Sequence, residues 1–129
     1  MKQEDKELLL KDLCGRLPYG VIVQSTFYCC DGTVLKHENE TLTSNLLNYK
    51  ISRYKPYLLP MSSMTEEQKE ELVRKRLGYY QVFEGVGRRF FFERGYEVYE
   101  WLNEHHFDYR GLIEKSLALD ATNLNIYRR

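Results

Sequence analysis

The chain has 129 residues, which reads as one domain with an ordinary hydrophobic core. Lys plus Arg and Asp plus Glu both number 19, so the formal charge is zero, a balance that argues against an affinity resting on many phosphate contacts. No run approaches the ~20 apolar residues of a membrane span, and the N-terminus MKQEDKELLLKDL lacks the continuous apolar stretch of a signal peptide, so the expected compartment is the cytoplasm.

Taken in order, Leu9, Leu10, Leu13 and Leu17 recur at helical steps, predicting a helix from Gln3 to Cys14 that Gly15 and Pro18 stop. From Gly20 the period changes to two: Val21, Val23, Ser25, Phe27 and Cys29 share one face of a strand, and Asp31-Gly32 signals a two-residue hairpin turn into TVLKH. HENE, His37 to Glu40, reads as a second turn, followed by a third strand TLTSNLL, then a short strand around Tyr49, Ile51 and Arg53. Pro56 and Pro60 make residues 55–64 an extended connection. The three cysteines, Cys14, Cys29 and Cys30, lack the spacing of a disulfide framework, so reduced thiols are expected, at least one of them in the core.

Thr65 and Gln68 form a capping box, so a helix begins near Glu66 and runs from an acidic start to a basic end at Arg74, Lys75 and Arg76. Tyr79 to Glu93 reads as a second hairpin. Tyr96, Tyr99 and Leu102, with Val98 and Trp101, mark a helix to His105; Asp108 then caps a last helix with Leu112, Ile113, Leu117 and Leu119 on its apolar face, and the tail from Thr122 frays. The fold class is therefore α+β in a single domain, 1–129. About five to six antiparallel strands form two hairpin units, with the first meander able to curl into a partly open barrel, packed against an N-terminal helix and two C-terminal helices.

KDLCGRLPYGVIVQ, KPYLLPMSSMTEEQKEEL and above all WLNEHHFDYRGLIEKSLALDA closely resemble an uncharacterised family of short proteins frequent in gut bacteria and in their phages and mobile elements. Ser25 to Asn48 and Tyr79 to Glu93 lie outside the resemblance. It implies a setting in a mobile element's dealings with its host, and it carries no activity, cofactor or catalytic residue.

His105, His106 and Asp108 form the constellation that looks most chemical. Adjacent histidines on a helix project ~100° apart and share a metal only if the helix ends between them; a metal-dependent hydrolase or nuclease would need that geometry. The structural alternative is a histidine at a helix C-terminus, with Asp108 capping the next helix. No G-x-S-x-G turn is present, EGVGRR lacks the second half of a phosphate loop, and no residue set calls for a cofactor.

Basic and aromatic residues interleave at Arg53, Tyr54 and Lys55 and at Arg88 and Arg89, a composition that suits stacking nucleic-acid bases; the zero net charge and nearby carboxylates weigh against it. The preferred expectation is a non-enzymatic, protein-binding or regulatory module in which some of the 11 tyrosines, with arginines, anchor a partner on a sheet face or in a groove. His105, His106, Tyr109 and Arg110, clustered at a helix junction, are its first candidate patch.

Overall fold

The computed structural model describes residues 2–75 and 98–127. Helix α1, Gln3–Arg16, leads through a 3-10 turn, Leu17–Tyr19, to strand β1, Ile22–Tyr28, and strand β2, Val34–Thr41. Two 3-10 segments, Ser44–Asn48 and Ile51–Arg53, precede β3, Tyr54–Pro60; α2, Glu66–Lys75, follows. The described part of helix α3 covers 98–104, and two short strands, β4 (Phe107–Asp108) and β5 (Leu119–Asp120), complete the architecture. The result is an α+β fold around an open mixed sheet. The β1 strand pairs antiparallel with β2 and β3, whereas β4 and β5 both run parallel to β3.

The centre of the sheet is β3, the stretch whose prolines read as a connection. Tyr54 and Leu58 enter one core cluster with Leu9 and Leu13 of α1, Val21 and Val23. Tyr57 and Leu59 enter a second, with Leu72, Val98, Trp101, Leu102 and Phe107. Alternate residues of a strand face opposite ways, so a strand buried on both faces needs a continuous apolar run, and YKPYLLP supplies it. Beyond Pro56 the ladder to β1 gives way to β4 and β5. The Leu59 amide bonds to the His106 carbonyl, while the Leu58 carbonyl accepts from the Ala121 amide. Those two groups belong to one peptide unit and point to opposite edges of β3.

The expected meander is corrected in several places. HENE is no turn: His37 to Glu40 lie inside β2, paired with Val23 to Thr26. Ser44–Asn48, within and just after TLTSNLL, and the segment around Ile51 are 3-10 turns, so the strand beside β1 is β3 and, among the described residues, the sheet is not closed into a barrel. The Asp31-Gly32 turn is real but longer than two residues. The Gly32 amide donates to Cys29 C=O, Cys29 N–H donates to Thr33 C=O, and Gly32 takes a φ of 89°. All three cysteines are exposed, none in the core.

The capping box forms as read, with reciprocal bonds between Thr65 and Gln68. The final helix does not. Asp108 does accept from the Leu112 and Ile113 amides, but only about one helical turn follows. Leu117 N–H then bonds to Leu112 C=O and Ser116 N–H to Ile113 C=O, with Ser116 at φ 60°, the paired bonds of a Schellman stop. The tail is tied down by Tyr127, whose hydroxyl contacts Ile22 and Tyr57. The hairpin expected over Tyr79 to Glu93 lies outside the described residues.

Candidate functional site

The helix junction is built from α1 outward. Asp12 and Arg16, one turn apart and both fully buried, form an ion pair at 2.8 Å. The other Asp12 oxygen receives Arg110 Nη1 at 2.8 Å, and Arg16 Nη2 donates to the Phe107 carbonyl at 2.6 Å. Tyr109 lies under both guanidinium groups, 5.3 Å from Arg16 and 4.7 Å from Arg110, and its hydroxyl donates to Asn103. Burial lifts the Tyr109 pKa, so it stays a neutral phenol. Tyr109 and Arg110 are thus committed to fastening α1 to the segment after α3.

The two histidines part from them. His106 ends α3 in the left-handed region, φ 64°, and its ring stacks on Tyr127 with centroids 3.8 Å apart. It is 9% exposed, and burial, then Arg16 and His105, lowers its pKa to about 4, so it is neutral at neutral pH. His105 stacks on Trp101 and bonds through Nδ1 to the Trp101 carbonyl. Both rings border a cleft of about 810 Å3 whose other lining residues include Glu67, Glu70, Glu71 and Glu104. Asp108 is spent on the two amides it caps. Among the described residues, no group of three His, Cys, Asp or Glu is placed to hold a metal ion, and no histidine or cysteine is bonded to a carboxylate. The His-His-x-Asp reading therefore has no ligand geometry behind it.

Of the basic and aromatic candidates, Tyr54 is 2% exposed and serves the core. Lys55 is part-buried on β3 opposite Gln24, and Arg88 and Arg89 lie outside the described residues. Arg53 has a different setting. It closes the 3-10 turn before β3, and its guanidinium lies 5.7 Å from the centroid of the Tyr49 ring. With Tyr28, Gly32, Asn48, Tyr49, Lys50 and Ser52 it lines a groove of about 590 Å3 at the hairpin end of the sheet.

Tyr28 and Tyr49 are 50% and 58% exposed, and Val34 and Leu35 beside the hairpin turn are also uncovered. The sequence reading missed this groove because Tyr28 and Arg53 are distant in the chain. The register of β1 with β3, Ser25 opposite Tyr54, is what brings them together. Lys50 and Tyr49 were visible as polar and aromatic residues flanking Arg53, and that was the available signal.

The outer edge of β2 is a second exposed feature, and it is guarded. Lys36, Glu38 and Glu40 alternate along it and the register slips by a bulge near Phe27, both of which discourage strand pairing.

Comparison with protein-family models, curated proteins and solved structures gave no match.

Proposed function

We propose that this chain is a non-enzymatic protein-binding module that docks its partner in the groove between the β1–β2 hairpin and the Ile51–Arg53 turn. What supports this reading is the gathering of two half-exposed tyrosines and an arginine in one concavity. Tyr and Arg are the side chains that most often carry interface energy, because each buries a large flat surface and keeps polar reach. The exposed Tyr28 and Tyr49 rings both line the groove, so a partner seated there removes apolar surface from water at more than one point. The resemblance to short phage and mobile-element proteins makes a host or element protein the natural partner.

The test is site-specific photo-crosslinking in cells, with p-benzoylphenylalanine in place of Tyr49 and, as control, in place of the exposed Leu10 on α1. The reading expects a discrete protein adduct from position 49 that Arg53→Ala diminishes. No adduct at 49, or equal adducts at 49 and 10, contradicts it.

A further inference from the structure

We infer that the groove takes an acidic peptide segment in extended conformation, laid beside the free end of β1; this rests on the protein-binding reading above and names the chemistry of its partner. The first observation is the state of the β1 backbone. Leu42 N–H bonds to Val21 C=O and Cys29 N–H to Thr33 C=O, both on the β2 side of the hairpin. Backbone groups alternate along a strand, so Tyr28, between Phe27 and Cys29, turns its N–H and C=O to the other side, where β3 would continue. The β1–β3 ladder ends at Ser25 opposite Tyr54, and the chain before Tyr54 is a 3-10 turn. Val34 of β2 flanks Tyr28 on one side, and among the described residues no strand lies beside it on the other. A donor and an acceptor at strand geometry are thus left facing the groove, and an extended polypeptide satisfies both.

The second observation is charge. Lys50 and Arg53 line the groove, and no carboxylate does so among the described lining residues. Among the described residues Arg53 is held against Tyr49 and not against an acid, so its guanidinium keeps donors for a carboxylate from outside. The third is the pair of exposed rings, Tyr28 and Tyr49, which offer flat surface to an apolar side chain alternating with the acidic ones. The volume falls within the range of small ligand sites, which suits a few residues and not a folded face.

A single nucleic-acid strand shares the charge and ring requirements, but it has no use for a backbone amide and carbonyl at ladder spacing. That edge is what favours a peptide, by the strand-addition mode of recognition.

The experiment is fluorescence anisotropy of the full chain with three labelled probes: a short alternating Glu–Val peptide, its Lys–Val counterpart and an oligothymidine. The expected result is saturable binding of the Glu–Val peptide, weakened by salt and weakened about tenfold by Arg53→Glu, with little binding of Lys–Val. Tyr49→Ala, which removes a ring and no charge, should weaken binding as well, and circular dichroism of both variants checks that the fold is kept. Absence of saturable Glu–Val binding, equal binding of Lys–Val, or tighter binding of oligothymidine overturns the inference, the last assigning the groove to nucleic acid. If the peptide fails while position 49 still crosslinks a protein, only the acidic-strand inference falls. If both fail, the binding reading falls with it.

Discussion

The Tyr127 hydroxyl donates to the Tyr57 carbonyl at 2.7 Å and accepts from the Ile22 amide at 2.9 Å. With Val23 opposite Pro56, Ile22 and Tyr57 would be the next partners of the β1–β3 ladder, and the phenol stands in that rung. A residue near the end of the chain thereby completes the central strand. Burial pushes the Tyr127 pKa up to about 12, so the hydroxyl keeps its proton across the working range. Tyr127→Phe leaves two backbone groups without a partner, and chemical denaturation should show a loss of ~1–3 kcal/mol. An unchanged midpoint would mean that water replaces the hydroxyl at no cost.

Asp12 is the hinge pin of the junction, since its two carboxylate oxygens bond Arg16 and Arg110. Asp12→Ala strands a fully buried guanidinium and should cost ~3–5 kcal/mol, whereas Arg110→Ala, at the partly exposed end, should cost about 1 kcal/mol or less. Equilibrium unfolding of the two variants side by side checks the ordering.

His106 makes stability depend on pH in a stated direction. Its folded pKa, about 4, lies below the ordinary 6.5, so between these values the unfolded chain binds a proton that the folded chain refuses. Stability contributed by the neutral ring is full above pH ~6.5 and falls as the pH drops toward 4, by an amount on the order of 3 kcal/mol. His106→Asn tolerates the left-handed backbone and removes the titration, so its stability profile over that window should be flatter than that of the parent chain. Parallel profiles would contradict the assignment.

Ser116 holds a φ of 60° at the Schellman stop, where a side chain costs energy that glycine does not. Ser116→Gly should raise the unfolding free energy by ~0.5–1 kcal/mol, read from the shift in denaturation midpoint.

Much of the architecture is legible in the sequence because it rests on local signals: the leucine spacing of α1, the Asp31-Gly32 turn, and the Thr65/Gln68 box. What was not legible depends on partners remote in the chain. The prolines of KPYLLP suggest termination, yet the bonds of β1 fix Gln24 opposite Lys55 and turn Pro56 away from β1, so its missing N–H costs that ladder nothing. HENE has turn composition but is held straight by β1. The segment after Asp108 has helical spacing, and what stops it is a left-handed serine that no propensity marks. Of the candidate patch, two members fasten the junction and two border the acidic cleft, while the groove at Tyr28 and Arg53 exists only once β1 and β3 are in register.

The most direct test of the docking groove is the backbone amide of Tyr28, followed by nuclear magnetic resonance hydrogen exchange while the Glu–Val peptide is added. The account predicts that this amide exchanges readily in the free chain and becomes protected on saturation, with shifts at Tyr49 and Arg53 and none at Glu70 or His105. Protection of Tyr28 before any peptide is added, or a response centred on the Glu70 and His105 cleft with Tyr28 unmoved, would contradict it.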